Sequence, residues 1–257
     1  MPLTCFPYGC LLTSMVDSST VPSTVIMSAQ GNSVVIVATI LGTVYVVGHA
    51  EGSLPNYDAD VIDRFCEYVA ASGVTSGGVA FRSMIGIESL RSALVDHLGF
   101  RTLEDFTPTS LIYLPDNVVL PTTPLDDGLT SRSLTPHDAD YVNDRWPYRS
   151  AQESPMLKDQ ITNLVSFGVV DTATGALVGW VMDTRDGCFG VLHCEESHRR
   201  RGIARFLVVQ IAQAMRAVGR PVYAAVARGN EASTALFLSL GFSFVGPEGI
   251  WQLITKD

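Results

Sequence analysis

The sequence predicts an α/β fold built as two similar lobes of strands interleaved with helices. Runs rich in Val, Ile and Thr alternate with segments whose apolar residues recur every three or four positions, the signature of strands interleaved with amphipathic helices. The helical segments stop at Gly73, Gly99, Gly219 and Gly241, and glycine is the residue that most easily takes the left-handed turn closing a helix. The ends of the halves also repeat: Leu98-Gly99-Phe100 precedes a strand at 110–114 much as Leu240-Gly241-Phe242 precedes one at 250–254.

In chain order, residues 33–40 and 43–48 read as a hairpin around Leu41-Gly42. Residues 58–71 place Val61, Ile62, Phe65, Tyr68 and Val69 on one helical stripe. A short strand at 78–82, a helix at 87–98 and a strand at 109–114 follow. The segment 115–128 holds Pro115, Pro121, Pro124 and Asp126-Asp127, so the boundary falls there, with residues 1–120 forming one domain and 129–257 the other. Beyond it, 129–134 is a strand and Thr135-Pro136 opens a helix, Thr as cap and Pro in the first turn. That helix ends near Trp146-Pro147, and another spans 154–164. Strands at 165–171 and 176–183 flank the turn at 171–175. A strand at 188–195, a helix at 203–218, a strand at 221–227, a helix at 231–240 and strands at 242–245 and 250–254 complete the pattern.

The chain has 257 residues, 47% of them hydrophobic and 17% charged, which is ample for a buried core. Its net charge of −9 argues against a surface that binds nucleic acid or anionic lipid broadly, since that needs clustered cations. The charge is unevenly placed. Residues 1–128 carry four basic against thirteen acidic residues and no Lys, whereas 129–257 balance at thirteen of each and contain the consecutive Arg199, Arg200 and Arg201. Five cysteines without a CxxC pair fit reduced thiols. The first twenty residues lack Lys and Arg, and the longest apolar stretch, 34–47, is interrupted and β-branched. Neither a leader nor a membrane span is predicted, and the expected location is the cytoplasm.

The chemistry concentrates at Arg199-Arg200-Arg201-Gly202-Ile203-Ala204, between a strand and an amphipathic helix. Free N–H groups and the positive end of the dipole at a helix N-terminus attract anions, and Gly202 lets a phosphate approach the main chain. Ala204 leaves the first turn unobstructed, and guanidinium groups add charge-assisted hydrogen bonds. Downstream come Asn230 after the next strand, Ser233 three residues later, Phe237 seven later, and then Gly241-Phe242.

With this spacing, residues 129–254 resemble the GNAT superfamily of acyl-CoA-dependent N-acyltransferases, whose [RQ]xxGx[GA] turn follows the fourth strand. In that superfamily an Asn, a small residue and commonly a Tyr follow the fifth strand. Arg145-Trp146-Pro147-Tyr148, Gly179-Trp180-Val181-Met182 and the opening at 25–32 are most similar to the glycine N-acyltransferase-like (FR47-like) group, in which a GNAT-like lobe precedes the catalytic one. The resemblance implies tandem GNAT-like lobes, each a mixed, mostly antiparallel sheet flanked by helices, the first degenerate: with Gly73 set on Gly219, Gly202 falls on Asn56 and the three arginines on Ser53-Leu54-Pro55. It implies acetyl-CoA or another acyl-CoA as co-substrate, no metal, a small-molecule amine or amino acid acceptor, no nucleic-acid or membrane partner, and a monomer or homodimer. Main-chain groups of Leu192, His193 and Cys194 would hold the pantetheine arm and thioester, and those of Arg200 to Ala204 the diphosphate. Asn230, Ser233 and the face of Phe237 would line the pantetheine end.

Direct attack by an amine requires loss of a proton, and His193, Glu195 and Glu196 lie on or just past the fourth strand. Alternation puts His193 and Glu195 on one face, and Glu195 is favoured over His193 as base. The group's acid commonly sits two positions before the motif arginine, where this chain has Ser197. Phe237 has no proton for the departing thiolate, leaving unassisted departure, with a thiol pKa of about 8.5, or another donor such as Tyr223. The run at 193–198 has no metal-site spacing, Ser14, Ser18 and Ser19 have no hydrolase setting, and Trp146 and Trp180 read as core or interface aromatics. Three functions follow in order: a small-molecule N-acyltransferase, a protein or peptide N-acetyltransferase, and an acyl-CoA-binding module without turnover.

Overall fold

Val-, Ile- and Thr-rich runs become strands and the 3.6-periodic segments become helices throughout the computed structural model. It describes residues 23–27, 34–40, 43–49, 59–72, 79–83, 88–105, 108–147, 153–184, 187–245 and 250–255. In chain order these form β1 (Ser23–Met27), β2 (Val34–Ile40), β3 (Thr43–His49), α1 (Ala59–Ala71), β4 (Val79–Ser83), α2 (Glu88–Leu98), β5 (Arg101–Asp105) and β6 (Thr109–Leu114). Then come β7 (Leu129–Arg132), α3 (Ala139–Arg145), α4 (Glu153–Asn163), β8 (Ser166–Asp171), β9 (Leu177–Asp183), β10 (Phe189–Cys194), α5 (Ile203–Ala217), β11 (Val222–Ala227), α6 (Glu231–Ser239), β12 (Ser243–Phe244) and β13 (Ile250–Thr255). Strands β1 and β5 are additions to the sequence reading. The segment 53–56, Tyr148, Cys5, Cys10 and the three N-terminal serines lie outside the described residues.

The chain divides into two compact units. The first has a six-stranded sheet in the order β1-β2-β3-β4-β13-β5. The β2–β3 hairpin is in the predicted register, Ile40 opposite Thr43, and β3 runs parallel to β4. Helix α1 buries Val61, Phe65 and Val69 at i, i+4 and i+8, and these pack with Leu90 and Leu94 of α2, Val44 and Phe100.

The second unit has a seven-stranded sheet in the order β12-β6-β11-β10-β9-β8-β7. The pairings β7–β8, β8–β9, β9–β10 and β6–β12 are antiparallel, and β10–β11 is parallel. Ala139 and Val142 of α3 and Leu157 and Ile161 of α4 pack on Trp180 and Met182 of β9. Helix α5 also packs on β9. A Cβ at Gly179 would lie 2.6 Å from the Ile203 side chain, so only glycine lets the first turn of α5 seat this closely. Among the described residues, no helix is long and apolar enough to cross a membrane.

The sheets do not divide where the proline-rich segment suggested. Strand β13, expected with the second domain, lies between β4 and β5 of the first sheet, and β6, expected with the first, lies between β12 and β11 of the second. Inserting each strand between two others satisfies both rows of its backbone groups, which an edge position would not. The segment after β6 is itself fixed to the second unit: the Arg216 guanidinium donates to the carbonyls of Pro115 (2.7 Å) and Val118 (2.8 Å).

Candidate functional site

The site begins where two strands part. On one edge β10 pairs with β9, interrupted by a bulge between Gly190 and His193 at which Val191 takes a φ of 52°. An extra residue of this kind bends a strand and ends regular pairing. On its other edge β10 registers with β11 at Phe189–Ala224, and past that point the backbone at 192–194 faces no paired strand among the described residues. Leu192, His193 and Cys194 thus border an open edge able to accept an extended ligand by β-type hydrogen bonds.

The open edge runs into the arginine turn. Residues 196–198 make one 3-10 turn, Arg199 is extended, Arg200 has φ 65°, and Gly202, with φ 76°, precedes Ile203 at the start of α5. The N–H groups of residues 200–204 donate to no acceptor among the described residues. A Cβ built on Gly202 would meet no atom within 4 Å beyond its chain neighbours, so the space on that side of the glycine is open. Free amides with a helix dipole behind them form an anion cradle. Around it, Arg199 lies 4.0 Å from Glu196, Arg201 Nε donates to Asp126 (3.1 Å), and Arg205 donates to Ser239 Oγ (2.7 Å).

His193 and Glu195 come together as alternation required. Glu195 Oε2 lies 3.8 Å from His193 Nε2, beyond hydrogen-bond distance. Its Oε1 accepts from the Tyr141 hydroxyl (3.0 Å) and from Arg145 Nε, and the Arg145 guanidinium lies over the Tyr141 ring at 3.5 Å. Partial burial favours the neutral acid, but the bonds from Tyr141 and Arg145 and the charges of Arg145 and His193 prevail, and the Glu195 carboxyl sits below its ordinary range. Burial is also the largest influence on His193. It pushes the imidazole down, against the opposing pull of Glu195, so the ring is neutral near pH 7. The ring stacks on Trp180, centroids 4.4 Å apart and planes 19° apart. Its Nε2 is shielded from solvent and has no hydrogen-bond partner among the described residues. Trp180, 1% exposed, is the core aromatic anticipated, and it is also the floor beneath this imidazole. A small recess opens here, lined by Arg145, Trp146, Pro147, Trp180, Val191, Leu192 and His193.

Tyr141 and Arg145 are the partners that sequence reasoning did not assign. They lie 54 and 50 positions before Glu195, and nothing local signals the contact.

The residues beyond β11 divide in role. Asn230 caps α6, its side-chain oxygen accepting from the Ser233 N–H (3.1 Å), so both serve the helix start. Phe237, expected to line the pantetheine end, is 4% exposed and belongs to an aromatic trio with Phe189 (5.8 Å) and Phe242 (5.1 Å). Tyr223, 6% exposed, packs on Tyr113 at 4.9 Å. Among the described residues, no group of three His, Cys, Asp or Glu side chains is placed to hold a metal ion.

A strand splayed from its parallel neighbour, followed by an amide cradle at a helix start, is the arrangement that the resemblance noted in the sequence leads one to expect. Residues 166–251 match the FR47-like protein family. The chain also shares its fold with a Drosophila melanogaster protein, at 17% identity over 96% of this chain and 89% of that one, with a TM-score of 0.71. GCN5-related N-acetyltransferase structures from Kribbella flavida (16% identity, 99% and 95% coverage, TM-score 0.53) and Streptococcus suis (an N-acetyltransferase-like protein; 12%, 98% and 95%, 0.53) share it too. No curated protein matches the sequence. The FR47-like match spans about a third of the chain, and these solved structures show that the chain has their fold.

Proposed function

We propose that the chain is an acyl-CoA-dependent N-acyltransferase that moves an acetyl or other acyl group from CoA to the amine of a small molecule or amino acid. The observation that carries this reading is the continuity between the open edge of β10 at 192–194 and the free amides at 200–204. An acyl-CoA presents the matching features in the same order: an amide-bearing arm for the strand edge, then a diphosphate for the cradle.

The thioester supplies an activated carbonyl. The amine nitrogen attacks that carbon, the C–S bond breaks, and the amine's proton must go elsewhere. His193, neutral through burial, takes the proton in this reading, and the Glu195 carboxylate 3.8 Å away offsets the charge it gains. This reading puts His193 ahead of Glu195, the reverse of the order preferred from sequence, and what supports it is that Tyr141 and Arg145 already occupy Glu195 Oε1. The thiolate leaves unaided or takes a proton from water, Phe237 having none to give. The first unit is, in the same proposal, a GNAT-like lobe whose sequence has Ser53-Leu54-Pro55 and Asn56 where the second has the three arginines and Gly202.

A second reading, an acyl-CoA-binding module without turnover, is favoured by one observation: Phe237 is buried among aromatics at the position where the superfamily commonly has a tyrosine. Calorimetry with CoA, combined with thiol release over a panel of amines, decides between them. Binding plus thiol release with any amine supports the enzyme, and binding without release supports the module. No binding overturns both. Gly202→Glu, which forces a side chain into a left-handed position and sets a carboxylate against the diphosphate, is expected to weaken CoA binding at least a hundredfold.

A further inference from the structure

The turn that forms the cradle contains a conformational anomaly. Arg200 adopts φ 65°, a left-handed conformation that a long L-side chain takes only when its surroundings enforce it. Downstream, α5 holds the chain. Upstream, the pairing of Cys194 with Gly179 and the bond from the Glu195 N–H to the Val178 carbonyl (2.8 Å) hold the end of β10. Between them lie residues 196–202.

Within that stretch, besides the bond of Arg201 to Asp126, His198 makes a long-range contact. Its Nε2 lies 3.3 Å from Asp171 Oδ2 and its Nδ1 2.9 Å from Ser197 Oγ. With Nε2 protonated, the imidazole donates to the carboxylate and accepts from the serine hydroxyl, so both ring nitrogens are used. Asp171 is itself a fixed post. As the last residue of β8, its Oδ1 accepts from the N–H groups of Ala173 (2.9 Å) and Thr174 (3.0 Å), and its carbonyl accepts from the Gly175 N–H (2.8 Å). His198 is 18% and Asp171 20% exposed, which limits competition from water. A rigid hairpin turn is thereby tied to the residue two positions before Arg200.

We propose that Asp171 and His198 are positioning residues for the anion cradle: the tie between them holds Arg200 in its left-handed conformation and so keeps the amides of 200–204 converged on a diphosphate. Neither residue touches the ligand. Both act through the backbone of the turn. The binding half of the proposal rests on the acyl-CoA reading, and the conformational half does not.

Two measurements test it on the full chain. Backbone 15N order parameters of the ligand-free protein are expected to fall at residues 199–202 in His198→Ala and Asp171→Asn. Values equal to wild type overturn the tie. The calorimetric Kd for CoA is expected to rise about tenfold in His198→Ala, with KM for acyl-CoA rising in step and kcat changing less. Arg200→Gly then separates this from a general structural role, because glycine takes the left-handed conformation without penalty. In the Arg200→Gly background, His198→Ala is expected to cost twofold or less. An equal cost in both backgrounds overturns the proposal. If wild type binds no CoA yet the order parameters fall, the acyl-CoA reading fails and the tie stands.

Discussion

His193 lies flat on Trp180, and its Nε2 sits 3.8 Å from a Glu195 carboxylate that Tyr141 and Arg145 hold in place. The stack fixes the ring plane, and the carboxylate supplies a counter-charge that strengthens as the ring takes up a proton. Burial opposes that uptake, so the folded-state pKa lies below the ordinary imidazole value near 6.5. In wild type the acid limb of kcat, measured at saturating acceptor, is therefore expected below that pH. Glu195→Gln removes the group that pulls the His193 pKa up, so the limb moves to still lower pH and the rate drops about tenfold. His193→Gln is expected to cost about a hundredfold or more, the usual range for a general base. An active His193→Gln with an unchanged profile returns the role to Glu195.

Asp126, in the proline-rich segment, accepts a bond from Arg201 at the cradle. Asp126 is about half exposed, so the pair itself contributes little to stability. Its effect on an incoming diphosphate is larger in proportion, because it neutralises one of the cations beside the cradle. Asp126→Asn is expected to tighten CoA two- to fivefold and to steepen the salt dependence of binding, with the midpoint of thermal unfolding nearly unchanged. Weaker binding would show instead that Asp126 orients Arg201 toward the ligand.

Asp183, at the end of β9, is 1% exposed and pairs with both terminal nitrogens of Arg220, one at 3.1 Å. Removing the cation leaves a buried carboxylate without its counter-charge. Arg220→Ala is therefore expected to destabilise the protein by about 3–5 kcal/mol in denaturant unfolding. Replacing both partners with apolar residues of similar volume should recover much of the loss. A cost under about 1 kcal/mol for Arg220→Ala would mean that water reaches Asp183.

The cradle was legible in the sequence because its chemistry is local. A glycine before an amphipathic run fixes a helix start, and the amides follow from backbone geometry whatever the distant contacts are. The order of β8 to β12 was legible for the same reason. The sheet membership of β6 and β13 was not, since Ile250–Thr255 reads as a strand in any register, and its partners Val79–Ser83 and Arg101–Asp105 lie some 150 or more residues earlier. Spacing likewise put Phe237 on a helix one turn short of Gly241, but its burial depends on Phe189, a residue of β10. Glu195 was found from its strand, whereas Tyr141 and Arg145, which set its charge, come from α3 and leave no mark in the local pattern.

Asp138 ties the start of the second sheet to the first turn before α3. Its carboxylate receives two bonds from Arg132, each 2.8 Å, and others from the N–H (2.7 Å) and hydroxyl (2.9 Å) of Thr135. Partial burial raises its pKa, but the hydrogen bonds from Arg132 and Thr135 and the charge of Arg132 outweigh that and hold the carboxyl at about 2. Because the folded pKa is depressed, its contribution is fully present above the unfolded value near 4 and is lost as the pH falls from about 4 through about 2. A shift of this size corresponds to about 2 kcal/mol at most, reduced by solvent screening because the Arg132 side chain is 38% exposed. Asp138→Asn is expected to lower stability by about 1–2 kcal/mol at pH 7. Its unfolding curve should merge with that of wild type near pH 2. A difference that stays constant between pH 7 and pH 2 would locate the effect in the turn's packing and not in the charge.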